Sequence, residues 1–140
     1  MLTRWLCRSI NFSGSFGVNS GVGLLSVYGW TTNPLVEYYI IEDNHSFPTS
    51  GTVKGSVTSD GSSYTVWENT RVNEPSIIGT ATFNQYISIR NSPRTSGTVT
   101  VENHFNAWKS LGLNLGTFNY QVIAIEGWGG SGSASQSVSN

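Results

Sequence analysis

Apolar and polar positions alternate with a period of two through most of this chain, in short runs separated by Gly, Ser, Asn and Pro. Residues 35–42, L-V-E-Y-Y-I-I-E, come after Asn33-Pro34 and have the β-branched and aromatic make-up of a strand. Alternation places Leu35, Glu37, Tyr39 and Ile41 on one face, and Val36, Tyr38 and Ile40 on the other, which reads as core. The same pattern predicts strands at residues 10–16, 24–30, 53–58, 63–72, 81–90, 97–101 and 120–128. The Gly/Asn/Ser-rich residues 17–23 read as a turn, and Asp60-Gly61 as the turn of a hairpin. Residues 43–52 read as a loop holding His45 and Pro48, and residues 73–80 as a turn-rich excursion with Ile77-Ile78 exposed. One helix is expected at residues 103–111, with Asn103 as its cap, Phe105 and Trp108 three apart, and Gly112 at its end. The Gly/Ser-rich tail, 129–140, has room for a last strand at 133–138. Many short strands and one helix predict a mainly β sandwich or jelly roll.

With 140 residues, 37% of them hydrophobic, the chain is large enough for one domain with a real core. Only 11% of residues are charged and the net charge is -1, so no basic stripe is available for nucleic acid or an anionic membrane. No apolar run reaches the length of a membrane span. The first eight residues lack the hydrophobic region of a secretory signal, and residues 1–9 share no period with the β pattern that begins at Ile10. Cys7, the only cysteine, has no partner for an internal disulfide and reads as an inert thiol. Asn11-Phe-Ser and Asn44-His-Ser are N-glycosylation sequons that matter only in a secreted chain. His45 is expected to be solvated and Glu74 exposed, while His104 is expected to pack or cap. Glu42 and Asp43 lack ligand spacing, and no metal is expected.

Glu is depleted in strands and rarely buried alone. Glu37 in mid-strand is therefore either a solvated position or a carboxylate held for chemistry. Residues 120–128, Y-Q-V-I-A-I-E-G-W, repeat the arrangement: Tyr120, Val122, Ala124 and Glu126 share a face. Two Glu residues in apolar strands, each with a Tyr of the same parity, are what a two-carboxylate glycosidase needs. Tyr28, Trp30 and Tyr120 by themselves read as ordinary sheet packing.

Several longer stretches carry a more specific signal: L-S-V-Y-G-W-T-T-N-P-L-V-E-Y-Y-I-I-E, T-S-D-G-S-S-Y, R-V-N-E-P-S-I-I-G-T-A-T-F-N-Q-Y, R-T-S-G-T-V-T-V-E-N-H-F-N-A-W and I-A-I-E-G-W-G-G-S-G-S-A-S. Together they span almost all of residues 10–140, and the chain resembles glycoside hydrolase family 11, the β-jelly-roll endo-1,4-β-xylanases. The resemblance implies a sandwich of two curved antiparallel sheets with one α-helix, acting on xylan or xylo-oligosaccharides as a monomer, outside the cell and without a cofactor. It implies Glu37 as nucleophile and Glu126 as acid/base, with Tyr28, Tyr39, Arg71, Gln85 and Tyr120 around the sugar at the cleavage point. Residues 73–80 match the family's thumb, with Pro75 and Ile77 over the substrate, and Trp30 matches a cleft aromatic.

The family's domain begins well upstream of Ile10. Residues 1–9 match none of it, so the resemblance covers an N-terminally incomplete domain at 10–140. The strands it lacks supply a sugar-stacking Trp and the Asn or Asp that tunes the acid/base. Ile87 stands where the family usually has Trp, and Trp128 where it usually has Tyr. The alternatives to an active enzyme are an inactive xylan-binding remnant and a fragment without function.

In a retaining glycosidase the two carboxyls lie about 5–5.5 Å apart. At an effective dielectric of 20, two negative charges at that distance repel by roughly 3 kcal/mol, or about two pKa units. Glu37 is expected to stay ionised by accepting hydrogen bonds, for example from Tyr39 or Gln85, and Glu126 to hold the proton.

Overall fold

A single long strand, β1 (Ser9–Thr32), is the spine of the computed structural model, which describes residues 9–49 and 51–139. The readings of residues 1–8, Cys7 among them, lie outside the described residues. After β1 come β2 (Val36–His45), β3 (Thr52–Ser59), β4 (Ser62–Ser76), β5 (Gly79–Arg90), β6 (Gly97–Thr100), one helix α1 (Val101–Ser110) and β7 (Thr117–Ser139). They form a curled sheet in the order β3-β4-β5-β2-β1-β6, with β7 also on β1. The expected mainly β jelly roll with one helix holds. Two details of pairing refine it: the hydrogen-bonded ladder is continuous, and β2 and β5 run parallel.

The β1–β7 pair explains why the expected turn at residues 17–23 is strand instead. β7 runs antiparallel along β1 from Thr32↔Thr117 to Asn11↔Ser139, with irregularities between Val18 and Ser20, Ser20 and Val22, and Gly29 and Thr31. Gly, Asn and Ser favour turns locally, but bulges let the ribbon bend here without ending. Residues 120–128 and the tail strand are likewise one element. β2 also outlasts its expected end, since Asp43, Asn44 and His45 pair with Leu25, Leu24 and Gly23. His45 is therefore half-buried at a strand end, its ring 5.7 Å from that of Phe16 and its Nε2 3.8 Å from Asp43.

The main core lies on the side of the sheet that α1 covers. Val36, Tyr38 and Ile40 of β2 meet Tyr64, Val66, Tyr86, Phe105 and Trp108 there, so the predicted core face of residues 35–42 is the observed one. Gly29 is needed where β1 passes over this core, because a Cβ on it would lie 2.4 Å from Cζ of Tyr38. The helix begins earlier than expected. Its N-cap is Thr100 with no side-chain cap, and Asn103 sits inside, donating to Ser59 Oγ at 3.0 Å. The charge that favours this helix start comes from the β3–β4 hairpin. Asp60 accepts from the Thr100 backbone N–H and from its hydroxyl, both at 2.7 Å.

A second, smaller cluster of Leu24, Ile41 and Ile87, with Tyr39, Phe47, Trp67 and Ile89 against it, lies on the opposite face of the sheet. That face carries a groove.

Candidate active site

Strand register brings the candidate residues together. Glu37 of β2 is paired with Trp30 of β1 on one side and Gln85 of β5 on the other. Gln85 is in turn paired with Asn69 of β4. Residues in one row of neighbouring strands point the same way, so Trp30, Glu37, Gln85 and Asn69 form a band across four strands. Glu126 reaches the same face from β7, where it pairs with Leu24.

The result is a groove of about 600 Å³ whose walls include Glu37, Tyr39, Arg71, Pro75, Gln85 and Glu126. Leu24, Phe47, Pro48, Thr49, Glu74, Phe83, Ile87 and Trp128 complete it. Its size suits a ligand site, and its lining is mostly uncharged, with four aromatic rings.

Glu37 accepts two hydrogen bonds, from the Tyr28 hydroxyl at 2.5 Å and from the Gln85 amide at 2.6 Å. Gln85 is the donor expected from sequence; Tyr28 takes the place proposed for Tyr39. Tyr39 instead packs its ring 4.9 Å from that of Tyr28, and burial, with the nearby charges of Glu37 and Glu126, pushes its hydroxyl far up. The Tyr28 hydroxyl is also pushed far up, by burial first and then by its bond to Glu37. Both phenols stay protonated and can only donate to an anion beside them.

The Glu126 carboxyl is held above its ordinary value, chiefly by burial and secondly by the Glu37 charge. The direction matches expectation, but the order of causes does not: desolvation comes ahead of repulsion between the carboxylates. Burial disfavours the charged form of a carboxyl.

The remaining expected residues divide between the groove and its backing. Tyr120 is partly exposed, with its ring 6.2 Å from Tyr28. Arg71 is exposed on the groove wall, paired with Glu74 at 3.4 Å; the Glu74 side chain is exposed as expected and also lines the groove. Pro75 lines the groove from the β4–β5 hairpin, whereas Ile77 is not among the lining residues. Trp30 lies behind the groove, 3% exposed, against Phe83. Its Nε1–H donates to the Tyr28 oxygen at 2.9 Å, so it reaches the site through Tyr28. Ile87 is 4% exposed at the groove base, leaving that position apolar but without a ring.

Sequence reasoning misses Asn69, Phe83 and the Phe47–Pro48–Thr49 wall. An aromatic and a Pro inside a polar loop are the available signal for the wall. Asn69 has none. Among the described residues no group of three His, Cys, Asp or Glu side chains could hold a metal, and no helix is long and apolar enough to cross a membrane.

Comparison with known proteins places the fold and the sequence in one family. Residues 6–137 match the model of the glycosyl hydrolases family 11. The chain is 83% identical over 131 residues to endo-1,4-beta-xylanase 1 of Hypocrea jecorina, covering 94% of this chain and 57% of that protein. It is 76% identical over 130 residues to ethylene-inducing xylanase 2 of Botryotinia fuckeliana, covering 93% and 59%. A solved endo-1,4-beta-xylanase of Trichoderma reesei superposes with a TM-score of 0.95 at 81% identity, over 96% of this chain and 75% of that one. The chain thus spans a little over half the length of the curated relatives it matches.

Proposed function

The chain belongs to glycosyl hydrolases family 11, and from that premise we propose that it cleaves internal β-1,4-xylosidic bonds of xylan with retention of configuration. The observation that carries the proposal is the unequal pair of carboxyls on one groove. Glu37 accepts from two donors; Glu126 is biased toward its acid form. In the first step a Glu37 oxygen bonds to the anomeric carbon, the glycosidic C–O bond breaks, and Glu126 gives its proton to the leaving oxygen. In the second, Glu126 takes a proton from water as the water oxygen displaces Glu37.

The same electrostatics makes the steps alternate. Once Glu37 is esterified its charge is gone, one of the two influences raising Glu126 disappears, and Glu126 becomes free to ionise and act as a base. Tyr28, Tyr39, Tyr120, Trp128 and Phe83 offer rings to a neutral sugar chain, and Arg71 and Gln85 offer donors. A polymer of this size is met outside the cell, which is where we place the activity.

The test is reducing-sugar release from xylan by this chain, by Glu37→Gln and by Glu126→Gln, with the anomer first formed tracked by NMR. Release by the parent with retention, and loss of about 10²-fold or more in each variant, is the expected result. Xylan retention without release would instead identify a binding remnant, and undiminished release by either variant would overturn the assignment.

A further inference from the structure

We propose that Asn69 is a positioning residue for the nucleophile: its donation to the Gln85 side-chain carbonyl fixes which end of that amide meets Glu37. The proposal rests on Glu37 being the nucleophile. A primary amide has a donor end and an acceptor end of nearly the same shape. Next to a carboxylate, which only accepts, one orientation makes a hydrogen bond and the other sets two acceptors face to face.

Gln85 is in the productive orientation. Its Nε2 donates to Glu37 Oε1 at 2.6 Å, and its Oε1 accepts from Asn69 Nδ2 at 2.8 Å. Three register partners on β4, β5 and β2 thus form a line of donors running toward the carboxylate. Asn69 is partly buried and is not among the groove's lining residues, so it acts through Gln85 and not on the sugar. A chain of this kind also polarises each of its members, which strengthens the last bond.

Asn69→Asp inverts the logic at almost constant shape, because two acceptors then compete for the one donor end of Gln85. Asn69→Leu removes the donor and adds no charge. In the full chain, Asn69→Asp is expected to lower kcat about 10-fold or more, the worth of a hydrogen bond to a charged group, with KM little changed. The acid limb of its pH profile moves to higher pH, since a carboxylate with weaker donors is protonated more readily. Asn69→Leu moves the same limb the same way by a smaller amount.

A role confined to holding β4 against β5 would instead lower the melting temperature of both variants and leave the limb in place, which overturns the proposal. NMR of the Gln85 side-chain amide supplies a readout independent of turnover. In the parent its shifts track the titration of the adjacent carboxylate; in Asn69→Asp that response is lost. An unchanged response in both variants also overturns the proposal. Glu37→Gln separates the two readings. If it stays active, the nucleophile assignment fails; if it is dead while both Asn69 variants match the parent, only the Asn69 proposal fails.

Discussion

The Trp30 indole N–H points at the oxygen of Tyr28, and that contact decides where the Tyr28 proton goes. With the indole donating at 2.9 Å, the phenol directs its own hydrogen to Glu37. Tyr28→Phe leaves Glu37 with Gln85 as its one remaining donor in the described site, and is expected to cost about 10- to 100-fold in kcat/KM, the range for a hydrogen bond to an ion. Trp30→Phe keeps the phenol but frees its rotor, and should cost less. Steady-state kinetics of both variants across pH checks the ranking; an equal loss in the two would show that packing dominates.

The Glu126 carboxyl answers to two influences that a single substitution separates. Its raised value comes from burial first and from the Glu37 charge second. In Glu37→Gln it should titrate lower than in the parent, yet still above an ordinary carboxyl. For activity the sign is simple: the acid must be protonated, so turnover falls as pH rises through the Glu126 value. Carboxyl ¹³C titration of parent and variant reads both quantities directly.

Acid should weaken the fold through His104. It is fully buried, with the Tyr64 ring 4.4 Å away, and burial lowers its pKa to about 4 against a small opposing pull from Asp60. Ser88 Oγ accepts from the Trp108 indole N–H at 2.9 Å and lies 3.1 Å from His104 Nδ1, where its own hydrogen can be given to a neutral imidazole. Because the folded value is depressed, the stabilisation is present above the unfolded value near 6.5 and is lost as pH falls toward 4. The loss is of order 3 kcal/mol. Urea midpoints at pH 7 and pH 4.5 should therefore differ, and His104→Gln should shrink the difference.

Glu42 sits near a strand end with no ligand spacing around it, yet it is 1% exposed and accepts from Arg94 Nε at 2.8 Å and from the Tyr64 hydroxyl at 2.7 Å. Arg94→Met strands that carboxyl without its ion partner. The expected cost is about 3–5 kcal/mol, read from denaturant unfolding. Glu42→Gln added to Arg94→Met should recover part of it.

The readings that succeeded were those that local pattern can decide. The faces of residues 35–42 and the Asp60-Gly61 hairpin come from a period of two and local turn chemistry. Those that failed depended on a distant partner. Residues 17–23 have turn composition but are held extended by β7, more than a hundred positions later. Asn103 is a good capping residue by type, yet Asp60 satisfies the helix start from another element. Glu42 with Arg94 and Asn69 with Gln85 lie 52 and 16 residues apart. The β5–β6 connection brings the first pair together and the β4–β5 register the second.

β7 is held along one side only: among the described residues it pairs with β1 and nothing else. Tyr120, Val122, Ile125, Trp128 and Val138 are all exposed on it, and Glu126 is its only charge. It lacks the lysines and prolines that usually guard a bare margin. Glu126 thus rides on a strand with a single neighbour, while Glu37 is seated in the middle of the sheet between two. Fraying of that margin on gentle warming should part Glu126 from Glu37 while the aromatic centre under the helix is still intact.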